Sequence, residues 1–583
     1  MSYILGINAY HGDASACIIH NGQLIAAAEE ERFLRVKHWA GFPKEAITFC
    51  LSEADISLSD VSVVAVNSDP KSNFLKKIVH VLKHRVGFDL IKERLNNAQA
   101  RRSIPQSLED SFPNDTFRGT IKTIDHHLAH LASTFYVSPY EKSAIVSVDG
   151  FGDFSSGSWG IGEGEKITTK GNIYYPHSLG VFYQAITQFI GFPHYGDEYK
   201  VMGLAPYGEP KYLDKMRDVV LLQNDGSYKL NLKYFKFHKE KVDYEWENGS
   251  PSVGKLYSDE LPNLLGAVRN KEESITQFHK DIASSAQAMF EVALFHMLNS
   301  IHARTGLDSI CIAGGCGNNS VANGKIRGNT KFKNVYVAAA SGDAGGAIGA
   351  AYSVYHENNN RNINLSHMKH AYIGPSFSNE RIKKMLDNEN LSESKFGVLK
   401  VDDLNELTKR TAIAISEGKV IGWFQGRMEW GPRALGNRSI LGDPRRSDMK
   451  EILNIKIKRR ESFRPFAPSI LREHVSDWFQ EDDDVPFMMK VFKIKDNKMG
   501  DIPAVTHVDG SGRLQTVFSE SNPRYHSLIS HFYSITGVPI VLNTSFNENE
   551  PVVCTPKEAL DCFLRTKMDV VVLNDYYIYR KEI

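Results

Sequence analysis

The segment HHLAH places His126, His127 and His130 within five residues of a chain that has 21 histidines among 583 residues. In a helix, side chains four residues apart lie on one face, so the imidazoles of His126 and His130 can bind one ion. His127 then points about 100° away from them. A pair with this spacing is expected about once by chance in a chain of this composition. The spacing alone therefore allows a metal site without predicting one.

A second histidine pair with the same spacing is formed by His80 and His84 in KKIVHVLKHRV. Its neighbours in sequence are cations, namely Lys76, Lys77, Lys83 and Arg85. Positive neighbours repel a metal ion, so we interpret this pair as part of a solvated basic face.

Two carboxylates that could complete a metal site follow apolar strands. Asp149 ends the strand in SAIVSVDG, and Asp343 follows NVYVAAASG. Ligand sites in α/β sheets favour the carboxyl ends of strands, although a single Asp there is more often a turn residue or a helix cap. Together with two imidazoles, two carboxylates form a set of nitrogen and oxygen donors that suits Fe(II), Mn(II) or Zn(II).

Two glycine-containing turns are candidate ligand loops. Gly314 and Gly315 in IAGGCGNNS open a predicted helix, a place suited to a phosphate or a nucleotide. The turn NAYHGDASA carries His11 and Asp13 close together. A lone histidine there is as readily a turn residue as a functional one, since binding groups concentrate on such loops, and both interpretations stay open.

A cluster of cations follows in the last third of the chain, and its simplest interpretation is a solvated basic face. Arg433 and Arg464 argue against that, because they lie in rigid Gly/Pro/aromatic contexts, WGPRALG and SFRPFAP. In a chain that is otherwise neutral, the local excess is a candidate anion site for phosphates. LNTSFN adds Asn543 and Ser545 as polar groups at a strand end. The cations are Arg433, Arg438, Arg445, Arg446, Lys456, Lys458, Arg459, Arg460 and Arg464.

Composition limits the function classes. The 69 basic and 69 acidic residues balance, which argues against nucleic-acid or membrane partners recognised by bulk charge. No apolar run reaches the roughly 18 residues of a membrane helix, and the first residues lack the basic start of a signal peptide. The six cysteines are scattered without a CxxC motif, so we expect reduced thiols and a cytoplasmic protein.

The order of predicted elements indicates an α/β protein with two domains and a mixed sheet. Asn21-Gly22 between apolar runs predicts a hairpin near the start, and strands then alternate with helices. We identify no usable internal repeat. The Asn-rich segment 356–370 is a predicted linker, which gives domains at 1–360 and 371–583.

The motifs in this order resemble the O-carbamoyltransferase family that includes nodulation protein U. The resemblance covers nearly the whole chain and is carried by NAYHGDASA, EEERFLRVKH, HHLAH, VDGFGD, YKVMGLAPYG, GGCGNNSVANGKI, SGDAGGAIGAA, WGPRALGNRSIL, FRPFAPSIL and LNTSFN. It implies an amino-terminal domain of the actin-like ATPase superfamily, similar to tRNA threonylcarbamoyl transferases, and a carboxy-terminal YrdC-like domain.

The resemblance also implies the chemistry. Carbamoyl phosphate and ATP, the latter with Mg²⁺, give a carbamoyl-adenylate, and the carbamoyl group then passes to a hydroxyl of a small molecule with Fe(II) bound. The implied metal ligands are His126, His130, Asp149 and Asp343, and His11 is the implied catalytic histidine. The implied carbamoyl-phosphate and ATP positions are Arg433, Lys458, Arg464, Arg513, Asn543 and Ser545, and Gly314, Gly315, Asn318 and Asn319 are expected at a nucleotide. The chain departs from its relatives in GGCGNN, where they often have GGVALN, and in the extra glycine of HGDASA.

These observations predict an ATP-dependent O-carbamoyltransferase acting on a secondary metabolite, with no nucleic-acid or membrane partner and a possible homodimer. The enzyme alternatives are a carbamoylase of a tRNA base and a sugar kinase, since the amino-terminal fold is shared. The non-enzyme alternative is an ATP-gated small-molecule binding protein, which would need no carbamoyl phosphate.

Overall fold

The computed structural model describes residues 3–74, 76–78, 104–240, 242, 244–247, 250–358, 367–458, 461 and 463–581. The chain divides into two compact units, Met1–Met368 and Lys369–Ile583. The predicted basic pair His80/His84 and the cations Arg459 and Arg460 lie outside the described residues, as does part of the predicted linker. Among the described helices, none combines the length and the apolar character needed to cross a membrane.

The first unit is mixed α/β, as the sequence predicts. Its described strands are β1 (Tyr3–Asn8), β2 (Ser15–His20), β3 (Gln23–Glu29), β4 (Val61–Val66), β5 (Thr120–Thr123), β6 (Lys142–Gly152), β7 (Ser155–Glu163), β8 (Lys166–Tyr174), β9 (Val220–Leu222), β10 (Tyr228–Leu230), β11 (Tyr244–Glu247), β12 (Ser250–Val253), β13 (Ser309–Ala313) and β14 (Asn334–Val337). Its described α-helices are α1 (Glu31–Leu34), α2 (Lys44–Glu53), α3 (Ile104–Ser111), α4 (His126–Phe135), α5 (Leu179–Phe189), α6 (Glu198–Leu204), α7 (Leu213–Val219), α8 (Glu260–Leu265), α9 (Gln277–Thr305), α10 (Ser320–Asn329) and α11 (Gly345–Asn358).

Two five-stranded sheets with one shared topology organise this unit. Their strand orders are β3-β2-β1-β4-β5 and β8-β7-β6-β13-β14. In each sheet three consecutive strands form an antiparallel meander, and two later strands add in parallel beside the first of the three. The unit is therefore a topological duplication, which the sequence analysis did not find. The predicted hairpin is confirmed, with Asn21 and Gly22 both at positive φ between β2 and β3.

Helix α4 carries the HHLAH segment and is fixed at both its start and its side. The Asp125 carboxylate caps it by accepting the backbone amides of His127 and Leu128, each at 3.1 Å. Its flank packs so closely against α11 that a Cβ on Gly349 would lie 1.8 Å from the Ala129 carbonyl oxygen. Glycine at position 349 therefore sets the distance between the two helices.

The second unit is built on one mixed sheet with the order β15-β24-β23-β16-β17-β22-β18-β21. Its described strands are β15 (Phe396–Lys400), β16 (Ile421–Phe424), β17 (Arg438–Gly442), β18 (Ala467–Leu471), β19 (Val491–Lys493), β20 (Ser511–Arg513), β21 (Gln515–Val517), β22 (Ile540–Ser545), β23 (Val570–Leu573) and β24 (Tyr576–Arg580). Its described α-helices are α12 (Asn379–Asn388), α13 (Leu404–Ser416), α14 (Met449–Leu453), α15 (Val475–Trp478), α16 (Pro523–Thr536) and α17 (Pro556–Arg565), and a π-helical turn covers Asn454–Lys458. Trp423 and Phe424 of β16 are fully buried in its core.

We predict that Gly349→Ala destabilises the protein by about 1–3 kcal/mol, the usual cost of overpacking, because the new methyl group meets backbone atoms that cannot rotate away. Gly328→Ala on α10 is the matched control, since an added Cβ there meets nothing within 4 Å and alanine favours helix. Urea unfolding midpoints measure both variants. Equal midpoints would contradict the close helix contact.

Candidate functional site

Four predicted ligands come together in the first unit. One donor atom from each of His126, His130, Asp149 and Asp343 lies within 4.8 Å of the others. The two histidine Nε2 atoms are 3.0 Å apart. Asp149 Oδ2 lies 3.1 and 3.3 Å from them, and Asp343 Oδ1 lies 3.6 and 3.4 Å from them. This arrangement places two nitrogen and two oxygen donors around one point.

Separate elements supply these donors. The two histidines are one helical turn apart on α4, Asp149 lies on β6, and Asp343 follows β14 and precedes α11. The backbone of β6 approaches α4 so closely that a Cβ on Gly152 would lie 2.0 Å from His126 Cδ2. The four donors therefore meet in one place, and glycines allow close approach of β6 to α4 at Gly152 and of α11 to α4 at Gly349.

Asp149 is oriented from its other side. Its Oδ1 accepts the backbone amide of Gly315 at 2.9 Å, while Oδ2 faces the imidazoles. Gly314 has φ +86°, and a Cβ there would lie 2.2 Å from the Val148 carbonyl oxygen. The Gly-Gly turn, predicted as a phosphate loop, thus lies against Asp149 and directs its carboxylate.

Burial and charge shift the pKa values within the cluster. Burial would raise the pKa of Asp149, but hydrogen bonds from His126 and His130 outweigh it and hold this pKa well below its usual range. Burial and the charge of Asp149 raise the pKa of Asp343. Burial opposes protonation of His130, yet its two carboxylate neighbours raise its pKa to about 9. Positive charge between the carboxylates is therefore favourable.

The donor set fits a divalent transition metal. Two imidazoles and two carboxylates are the ligands that Fe(II), Mn(II) and Zn(II) accept. The Nδ1 atoms of His126 and His130 and Oδ1 of Asp343 are buried without a hydrogen-bond partner among the described residues. A cation bound by Asp343 Oδ1 and the two Nε2 atoms would satisfy that oxygen and replace the contact between two ring nitrogens.

His127 and His11 lie beside this cluster in different ways. His127 Nδ1 is 2.7 Å from Ser147 Oγ, so its ring points away from the ligands, as helical spacing predicts. Burial and the charges of His126 and His130 lower the pKa of His127 to about 3, which keeps its ring neutral. The ring of His11 lies 5.3 Å from that of His126, measured between centroids, and His11 is buried.

Three further polar residues near this cluster, His38, Glu31 and Tyr195, were not predicted from the sequence, whereas their neighbour Asp13 was. His38 Nδ1 lies 2.8 Å from Asp13 Oδ1, and Glu31 is close enough to join them in a second group of possible ligands. The quoted motif EEERFLRVKH contains two of these residues, which was the available signal. Tyr195 adjoins the same turn, since its hydroxyl would lie 2.7 Å from a Cβ on Gly12. Burial, followed by the charges of Asp343, Asp13 and Asp149, raises the pKa of Tyr195.

The predicted nucleotide residues Asn318 and Asn319 occupy different settings. Asn319 caps α10 by accepting the amide of Ala322 at 3.0 Å, and its side-chain amide also exchanges hydrogen bonds with Gln287. Asn318 faces the segment after β14, with its Nδ2 3.4 Å from a Cβ built on Gly342. The oxygen and the nitrogen of the Asn319 side-chain amide are thus both hydrogen-bonded within the protein.

In the second unit, the predicted cation Lys458 is buried beside the end of β22. Its Nζ donates to the carbonyl oxygen of Ser545 at 2.5 Å and to the carbonyl and Oδ1 of Asn547 at 2.7 and 2.6 Å. Ser545 Oγ lies 3.3 Å away. Lys458 and Ser545, predicted for the same site, are therefore in contact.

Asn543 lies two residues before Ser545 on β22 and is buried. Its Nδ2 donates to the Ala434 carbonyl at 3.1 Å, to Ser469 Oγ at 3.0 Å and to Gln515 Oε1 at 3.1 Å. The contact with Ala434 brings the segment of Arg433 to this strand, and burial lowers the pKa of Arg433 to about 10.

The remaining predicted cations fall into two groups. Arg464 precedes β18, with Nη1 3.6 Å from Glu461 Oε2, and Arg513 ends β20. Arg445 and Arg446 pair with Asp443 and Asp448 at 2.7 and 2.6 Å, and Arg438 donates to backbone carbonyls and stacks on Phe424. The last three arginines therefore have structural partners, so the anion site has fewer candidates than the sequence indicates.

Comparison with known families gives matches along most of the chain. Residues 3–352 match the family described as carbamoyltransferase N-terminus, and residues 412–580 match carbamoyltransferase C-terminus.

Individual proteins also match. An uncharacterised Synechocystis protein is 39% identical, over 99% of this chain and 97% of its own length. Nodulation protein NolNO of Sinorhizobium fredii is 35% identical, over 98% and 80%. The 3'-hydroxymethylcephem-O-carbamoyltransferase of Amycolatopsis lactamdurans is 34% identical, over 46% and 48%. Among solved structures, T. kodakarensis HypF aligns with 61% of this chain and 47% of its own at 11% identity, and its TM-score of 0.30 assigns no fold.

We predict that His126→Ala and His130→Ala each lower bound metal towards zero, because each removes one of four donors. His127→Ala is the control and keeps about one ion per chain, since its ring faces Ser147. Elemental analysis after loading with Fe(II) measures both. Loss of metal in His127→Ala with retention in His126→Ala would contradict the assignment.

Proposed function

The chain belongs to the carbamoyltransferase family and is a transferase enzyme, and we propose that it is an ATP-dependent O-carbamoyltransferase. Carbamoyl phosphate and ATP form a carbamoyl-adenylate with release of pyrophosphate, and the carbamoyl group then passes to a hydroxyl of a small molecule. The observation that carries the proposal is the cluster of His126, His130, Asp149 and Asp343 with His11 beside it.

We assign the transfer step to the first unit. The duplicated strand order supports membership of the actin-like ATPase superfamily. Fe(II) is the proposed ion for the four ligands, and when bound it polarises a carbonyl and stabilises negative charge. The chain's own contribution is to fix the donors and to place His11 where it can accept the proton of the attacking hydroxyl. His127, held neutral by burial, fixes the orientation of the helix through Ser147.

We assign adenylate formation to the second unit, for which a YrdC-like fold is proposed. Lys458 and Ser545 are in contact, and the segment of Arg433 reaches Asn543 on the same strand. Arginine and lysine groups in this setting suit the phosphates of carbamoyl phosphate and of ATP with Mg²⁺. Arg464 and Arg513 are proposed to complete the set.

The acceptor is proposed to be a hydroxylated secondary metabolite, in line with the relative named for a 3'-hydroxymethylcephem. Incubation with ATP, carbamoyl phosphate, Fe(II) and an extract of the source organism tests this, because carbamoylation adds about 43 Da to the acceptor. A cytoplasmic location, a homodimer and the absence of a nucleic-acid partner stay predictions. The family match favours this transferase over the ATP-gated binding protein and over the kinase.

We predict that Arg464→Ala abolishes carbamoyl-phosphate-dependent release of pyrophosphate from ATP, because it removes a proposed phosphate ligand. Arg446→Ala is the matched control, since Arg446 is exposed and already paired with Asp448, and it keeps this activity. A pyrophosphate assay measures both variants. Normal release by folded Arg464→Ala would remove Arg464 from the site.

We predict that His130→Ala keeps carbamoyl-phosphate-dependent pyrophosphate release roughly intact and loses the carbamoylated product. The reason is that the metal ligands lie in the first unit and the phosphate-binding cations in the second. Pyrophosphate and product are measured in one reaction. Loss of both activities together would show that the two steps are not divided in this way.

A further inference from the structure

Asp153, at the turn between β6 and β7, has no role in the chemistry proposed above, yet its carboxylate is buried and fully engaged. Its Oδ2 accepts the backbone amides of Asp69 at 2.7 Å and His126 at 2.9 Å. Its Oδ1 accepts the hydroxyl of Ser68 at 3.1 Å. One side chain therefore joins three segments of the first unit, and one of its donors is the amide of a proposed metal ligand.

The backbone of this turn forms a two-residue hairpin loop between β6 and β7. Asp153 and Phe154 have φ values of 47° and 72°, so two consecutive residues other than glycine lie in the left-handed region. The turn is also held from outside, because Asn73 Nδ2 donates to the Asp153 carbonyl at 2.9 Å and to Ser155 Oγ at 3.2 Å. Hairpin geometry therefore accounts for the backbone of the turn, and the contacts of Asn73 hold that turn in place.

The contacts of Asp153 connect the two sheets. Segment 67–69 follows β4 in one sheet, whereas Asp153 follows β6 in the other. The same segment also reaches the turn of His11, because Asn67 Nδ2 donates to Asn8 Oδ1 at 3.1 Å. Asn8 in turn donates to the carbonyls of Gly12 and Asp13 at 3.0 and 2.9 Å. Segment 67–69 is therefore linked to the first residue of α4 through the Asp153 carboxylate and to the turn that carries His11 through Asn8.

We propose that Asp153 is a positioning residue that fixes His126 relative to the other metal ligands and ties the metal centre to the segment supporting the turn of His11. The inference rests on the proposed metal centre. It extends that centre to a residue outside the ligand group, whose two carboxylate oxygens both accept hydrogen bonds from the protein.

Ordinary helix capping does not account for these contacts. Asp125 already caps α4 by accepting the amides of His127 and Leu128. Asp153 binds the one amide that belongs to His126, and its other bonds lead to segment 67–69 of the other sheet. A backbone shift at His126 would pass directly to Nε2, which lies 3.1 Å from Asp149 Oδ2.

Titration with Co²⁺, whose visible absorption depends on ligand geometry, tests this in the full chain. Asp153→Gly removes the carboxylate while glycine keeps the positive φ without strain. We expect it to bind Co²⁺ about 10- to 100-fold more weakly with an altered spectrum, as when a group that orients a ligand is lost. Asp153→Asn can still accept both backbone amides through one oxygen and donate to the Ser68 hydroxyl, so it should restore affinity to within about threefold and return the native spectrum.

Two further variants separate the possible results. Asp125→Ala should lower thermal stability while leaving the Co²⁺ affinity and spectrum unchanged. A tenfold loss in that variant would attribute the effect to fraying of α4 and overturn the proposal. So would native Co²⁺ binding by Asp153→Gly, or failure of Asp153→Asn to restore it. His130→Ala serves as the reference for the metal centre itself, because native Co²⁺ binding there would refute the proposed ligands and not only the role of Asp153.

Discussion

Two carboxylates, the buried Asp149 and the partly buried Asp343, are held against two imidazoles, and this is the constraint on which the first unit depends. Burial of Asp149 and Asp343 disfavours their charges, and each is also close to the other. The cluster is stable only with positive charge between them, carried by protonated imidazole or by a bound cation. The arrangement therefore favours binding of a cation, and the surrounding fold has to hold the two carboxylates close together against their mutual repulsion.

Glycine makes that rigidity possible. Gly152 lets β6 approach His126, Gly315 brings an amide to Asp149, and Gly349 lets α11 lie against α4. At each place a Cβ would lie within 3.0 Å of another atom, so no other residue fits without displacement. The glycine backbone lies close to its neighbours at these places, where long side chains could otherwise stand. Because such side chains have several rotamers, they would leave the positions of the metal ligands less well defined. The glycine-rich motifs near the ligands thus have a packing role that is separate from any contact with phosphate.

Local sequence patterns were enough to predict many of the residues at the candidate site. The spacing of His126 and His130 and the aspartates at strand ends predicted four side chains that the structure brings together. The pairs Arg445–Asp443 and Arg446–Asp448 are two residues apart and could also have been found from sequence. The duplicated sheet and the hydrogen bonds of Asp153 could not have been found from the sequence. Strand order has no signature in the local periodicity of the sequence. The Asp153 carboxylate accepts a hydrogen bond from a residue 84 positions away.

The side chains buried at the proposed sites of the two units differ in the sign of their charge. This difference supports the proposed division of the transfer and adenylate-forming steps between the units. In the first unit the carboxylates of Asp149 and Asp343 gather with two imidazoles around one point, which suits a cation. In the second unit, Lys458 is buried and its hydrogen bonds to Ser545 and Asn547 go to neutral oxygens, which solvate the ammonium. The partly exposed Arg445 and Arg446 are instead paired with aspartates. A phosphate placed near β22, as the proposed adenylate site requires, would therefore meet a buried ammonium held by backbone and side-chain oxygens rather than an arginine held by an adjacent aspartate.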